Sequence, residues 1–103
     1  MTLSLQSLDV ELDEFWLDRF ELCRLAGVSE PWLRERLAHG LLTVAARGAH
    51  DEWRFDAAGL RRVRRMACLE RDFDAVPELA ALVADLEDEL AALRAQLRRA
   101  ARA

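Results

Sequence analysis

The stretch LCRLAGVSEPWLRERLAHGLL, Leu22 to Leu42, decides how this chain is read. Leu22, Leu25 and Ala26 are spaced as the inner stripe of a short helix, and Gly27 ends it where a left-handed backbone is needed. Ser29 is placed to cap a second helix, with Pro31 in its first turn, where a missing N–H costs nothing. Val28 and Leu33 occupy the two positions of a hydrophobic staple, Leu33 and Leu37 face inward, and Gly40 closes the helix. Two helices joined by a glycine turn outline a helix-turn-helix, a device that commonly reads DNA. Yet Glu30 and Glu35 lie on the helix that would meet phosphates, in a chain of net charge −4.

Working outward, Asp18 and Glu21 predict a capping box at the start of the first helix. Before it, Leu3, Leu5, Leu8, Val10 and Leu12 alternate with polar and acidic residues, with a phase change at Gln6-Ser7, which predicts a short N-terminal strand segment. After Gly40, LLTVAARGAHDEWRF has apolar arms at Leu41–Val44 and Trp53–Phe55 around a loop containing Gly48, the pattern of a β-hairpin wing. Asp56 is placed to cap a third helix, with Leu60, Val63, Ala67 and Phe73 on one side and Arg61, Arg62, Arg64, Arg65 and Arg71 around the rest. The arginine face reads as a solvated surface balanced by the acidic N-terminal segment, or as a DNA contact.

The last segment is the most regular. Val76, Leu79, Val83, Leu86, Leu90, Leu93, Leu97 and Ala100 keep an unbroken 3-4 alternation of spacing, a heptad seam for pairing two chains. Asp85, Glu87, Asp88 and Glu89 fill its front half and Arg94, Arg98, Arg99 and Arg102 its back half, which favours antiparallel over parallel pairing. The expected protein is mainly α: a winged helix-turn-helix domain over 1–75 and a coiled-coil dimerisation helix over 76–103.

Composition narrows the function. Of the 103 residues, 52% are apolar, which argues against disorder. No run approaches the roughly 18 apolar residues of a membrane span. The start of the chain lacks the features of a secretory signal, so a cytoplasmic location is expected. Cys23, Cys68, His39 and His50 match no zinc spacing, so no metal and no cofactor are expected. No nucleophile–base set, carboxylate pair or phosphate-cradling loop stands out, so an enzyme is not expected. All basic residues are Arg, and Lys, Ile, Asn and Tyr are absent, a bias of GC-rich coding rather than of arginine chemistry.

The order of elements resembles the MerR-like winged architecture over about residues 19 to 100, with Arg34 where such regulators hold a phosphate-contacting arginine. Glu35 and Arg36 replace the aromatic pair usual there, and Asp51 and Glu52 stand in a wing that is usually Arg- and Gly-rich. ELCRLAGVSE, HGLL, WRFD and the arginine- and leucine-rich helices that follow are similar, in that order, to the CbpM chaperone-modulator family. RDFDAVPEL departs from it by lacking a Trp before the proline. The resemblance implies a bacterial homodimer that binds the J-domain of a DnaJ-like co-chaperone, CbpA, and inhibits it. The alternative is a MerR-family transcriptional regulator.

The charge pattern speaks to that choice. DNA affinity comes largely from counterions released around phosphates, which takes concentrated positive charge. Here residues 1 to 30 hold seven acids against two arginines, so nucleic acid is not the expected partner. A basic protein surface is, and the J-domain, by the same resemblance, presents a basic helix to its Hsp70 partner. Glu30, Glu35, Asp51 and Glu52 are the expected partner-binding carboxylates, with Trp32 as an exposed apolar anchor or else half-buried against the wing or the N-terminal segment. Glu11, Asp13 and Glu14 form a second acidic cluster able to serve instead.

Overall fold

The computed structural model describes residues 15–48, 50 and 52–102. The expected N-terminal strand, the Glu11–Asp13–Glu14 cluster and Asp51 lie outside the described residues. Helix α1 (Arg19–Ala26) opens on the predicted capping box: Asp18 Oδ1 accepts from the Glu21 N–H at 2.7 Å, and Glu21 Oε1 accepts from the Asp18 N–H at 3.0 Å. Gly27, at φ 70°, ends it in the left-handed region. Helix α2 (Glu30–Ala38) begins with Ser29 Oγ accepting from the Trp32 N–H at 3.2 Å. Gly40, at φ 74°, turns the chain out of α2.

The wing is shorter than its sequence suggested and shifted in its first arm. Strands β1 (Ala46–Arg47) and β2 (Trp53–Arg54) pair antiparallel, Ala46 opposite Arg54 and Arg47 opposite Trp53. Leu41 and Leu42 are not strand residues, because each is already used by the core: Leu42 is buried, and the Leu41 carbonyl accepts from Arg62 at 3.2 Å. On the hairpin's other side Leu17 and Phe55 exchange backbone hydrogen bonds of 2.8 and 2.9 Å, which ties the segment before α1 to the wing.

Helix α3 (Ala57–Phe73) is capped by Asp56, whose Oδ1 accepts from the Gly59 N–H at 2.8 Å. Its buried residues are Val63, Met66, Ala67 and Leu69. They join Leu17, Leu22, Leu33, Leu42 and Phe55 in one core. Phe73, expected inside, is 70% exposed, because α3 outruns the core beyond Leu69. Leu25, also expected inside, sits at the rim, where its carbonyl accepts from Arg64 at 3.1 Å.

Helix α4 (Pro77–Arg102) presents Ala80, Ala81 and Ala84 to α3, and these small residues are buried. Arg62 bonds Asp85 at 2.6 Å, and Arg65 holds both oxygens of Glu87 at 2.7 Å. Two arginines of α3, Arg62 and Arg65, are therefore balanced by acids of α4, while the acidic N-terminal segment expected to balance this face lies outside the described residues. The start of α4 is thus part of the domain core as well as the base of the leucine seam.

One buried ion pair joins α2 to α3. Arg36 is only 8% exposed, and its Nε and Nη2 reach the two oxygens of Glu70 at 3.2 and 2.6 Å. Trp32 Nε1 also donates to Glu70, at 3.0 Å, and the Arg36 guanidinium lies 4.3 Å from the Trp32 ring centroid. Removing Glu70 strands a buried cation, so Glu70→Leu is expected to cost about 3 kcal/mol, whereas adding Arg36→Met should recover most of it. Chemical denaturation of the two singles and the double measures this; additive losses would count against a coupled pair. The Glu87 carboxyl is held below the usual range chiefly by its hydrogen bonds from Arg65. Its contribution is therefore present above the ordinary carboxylate pKa of about 4.3 and lost as pH falls through the lowered value. Glu87→Gln should lower the thermal midpoint at neutral pH and converge on wild type once the pH falls below both pKa values.

Candidate functional site

The surface that would carry function is the outer side of α1, α2 and the wing. On α2 the charges alternate and neutralise one another. Glu30 pairs with Arg34 and lies 3.9 Å from Arg19; Glu35 pairs with Arg36 at 3.1 Å. Arg34 is the only solvent-exposed arginine of α2, and its guanidinium is engaged by Glu30. On the wing, Glu52 Oε2 accepts from the His50 N–H at 2.8 Å, and Glu52 Oε1 stands 3.6 Å from Arg54. Hydrogen bonds from its own backbone N–H and from that of His50 hold the Glu52 carboxyl below the usual range. It is charged throughout the neutral range.

Trp32 is half-buried rather than exposed: it packs against the core, with its N–H committed to Glu70 and its ring beneath Arg36. Trp53 packs edge-on to Phe55 at 6.5 Å, with Arg19 5.3 Å from its own ring centroid. Phe20, on α1, is the most exposed ring among the described residues. It lines two clefts. One is lined by Arg19, Cys23, Arg24, Val28 and Glu30; the other by Asp18, Arg19, His50, Glu52 and Trp53. Phe20 thus shares one cleft with Glu30 and the other with Glu52, while Glu35 sits with Arg36 and lines neither.

Two thiols complete the chemistry. Cys23 is half-buried, and burial first and the neighbouring Glu30 second push its pKa up, so it is not a thiolate nucleophile at neutral pH. Cys68 donates to Asp72 at 3.1 Å. No group of three metal-ligating side chains occurs among the described residues, and no described helix is long and apolar enough to cross a membrane.

The far side of α4 is a different surface. Val76, Leu79, Leu86, Leu90, Leu93 and Leu97 are exposed, Leu97 to 70%, and Leu82 lies beside them at 53%. Val83 differs from the rest of the seam by packing partly against the core. Asp85 and Glu87, counted from sequence among the acids of the front half, are already paired with Arg62 and Arg65 of their own chain. Glu78, Asp88 and Glu89 remain to meet the arginines of the back half.

No curated protein matches the chain. The MerR HTH family of regulatory proteins matches residues 18–102, from the cap of α1 to the last turn of α4. With helix, glycine turn, helix, wing and long terminal helix in that order over nearly the whole chain, this protein belongs to the MerR helix-turn-helix regulatory family.

Proposed function

We propose that this protein is a chaperone modulator, a homodimer that binds the J-domain of a DnaJ/CbpA-type co-chaperone and inhibits it by competing with Hsp70. The observation that carries the reading is the pairing on α2: both of its arginines, Arg34 and Arg36, are held by carboxylates of the same domain. A phosphate backbone needs cations that are free to displace counterions. A basic protein helix needs carboxylates, and Glu30, Glu35 and Glu52 are solvent-accessible, Glu30 and Glu52 in surface pairs that water and salt screen. Such pairs exchange partners cheaply. The order of motifs shared with CbpM-type modulators supports the same partner.

A second reading, a DNA-binding transcriptional regulator, is favoured by the family itself and by the exposure of Arg34 on the second helix of the helix-turn-helix. The two separate on titration. A labelled J-domain should bind with low-micromolar or tighter affinity and be displaced by Hsp70, while duplex DNA should bind weakly at physiological salt. Tight, sequence-selective DNA binding abolished by Arg34→Ala, or a ternary complex with J-domain and Hsp70 together, would sink the proposal.

The homodimer rests on the leucine face of α4. A helix is marginal in water without tertiary packing, and the leucines beyond Asp88 are 46% to 70% exposed among the described residues. A second copy in antiparallel register covers them and sets Glu78 and Asp88–Glu89 toward the arginine-rich end. Replacing Leu86 and Leu90 by Glu is expected to convert dimer to monomer in light scattering. Unchanged dimer mass in that variant, or monomeric wild type at micromolar concentration, would refute the seam.

A further inference from the structure

Away from α4 and the Phe73 corner, the exposed large apolar side chains among the described residues are Trp16, Phe20 and Leu25. Phe20, at 74%, is more exposed than any of the α4 leucines. Nothing in the core requires it to be aromatic: it lies on the opposite side of α1 from the fully buried Leu22. The clefts on either side of it carry Glu30 in one and Asp18 and Glu52 in the other. Arg19, common to both, is drawn onto the Trp53 ring and toward Glu30. Arg24 is the remaining cation of the two rims.

We propose that Phe20 is the apolar anchor of an interaction surface whose occupant is a basic amphipathic helix. The ring would pack against an apolar residue and the methylene stems of neighbouring lysines or arginines, while Glu30 on one side and Asp18 and Glu52 on the other meet their cationic heads. This places the anchor on α1 and relieves Trp32 of a role its packing against Arg36 and Glu70 denies it. The surface deepens the function proposed above and rests on that reading only in taking the helix to be a J-domain's. Cys23 lines the floor of one cleft, so an occupant also shields its thiol.

Fluorescence anisotropy tests this with two labelled probes, the J-domain and a model helix of Leu and Lys at amphipathic spacing, with a Leu/Glu helix as control. Phe20→Ala should weaken binding about tenfold or more, while Glu30→Gln and Glu52→Gln should each weaken it a few-fold, and only at low salt. On the unmodified protein, bound probe should slow alkylation of Cys23 but not of Cys68, a readout independent of any substitution. If the J-domain binds and Phe20→Ala and Cys23 alkylation are both indifferent, the anchor is wrong while the modulator function stands. If only the model helix binds, and does so through Phe20, the surface stands and its J-domain source fails. Preference for the Leu/Glu helix, binding of neither probe, or a change of dimer mass in Phe20→Ala would overturn the proposal.

Discussion

A single carboxylate, that of Glu70, sets the geometry of the helix-turn-helix. It takes two N–H groups from Arg36 and one from Trp32, and so receives three donors from the inner side of α2. Helix α2 is nine residues long and fully buries only Leu33 among its apolar side chains. A helix that short has little stability of its own, and one leucine fixes depth more than rotation. The guanidinium fork supplies the rotation, since its planar donors meet a carboxylate in few orientations. Once α2 is fixed against α3, Glu30, Arg34 and Glu35 have no choice but the outer face. Every functional reading of that face rests on this contact.

Helix α4 answers a different constraint. A small domain with one face of α3 to cover can use a helix lined by alanines, and Ala80, Ala81 and Ala84 do so. Close approach through small residues leaves room for the Arg62–Asp85 and Arg65–Glu87 pairs to close beside it. The leucines consequently point away from the domain. Were α4 merely a cover for α3, the alanine stripe would suffice and the opposite side would be polar. A helix apolar on one face and alanine-lined on another suits the second copy proposed above for its leucine face.

The local signals of the sequence were legible wherever backbone chemistry left one solution. Asp18 with Glu21, Gly27, Ser29 and Asp56 act as their positions foretold, because caps and left-handed turns are set by residues within a few positions of one another. Longer-range partners were not legible. No spacing rule links Arg36 to Glu70, 34 positions away, which takes it inside. The Arg62–Asp85 and Arg65–Glu87 pairs were hidden for the same reason, and the first arm of the wing lies later than its sequence suggested because the core claims Leu42. Phe20 did leave a signal: its position on α1 lies opposite Leu22, so an aromatic there faces water.

That precedent is also what makes the acidity informative. A winged helix-turn-helix offers a partner two protrusions, the second helix and the wing, whatever the partner's chemistry. Charge then selects the partner. On α2 the arginines are matched by carboxylates, and Glu52 stands near Arg54 on the wing, so an incoming phosphate would have to compete with a covalently tethered anion at each of these sites. An incoming lysine or arginine faces the mirror-image competition. It gains where carboxylates flank an apolar ring, because burying the stem of the side chain adds to the exchange of charges. Phosphate brings no stem to bury. On the function proposed above, the same paired surface would discriminate between the two partners through an exposed phenyl ring, and Phe20 is exposed.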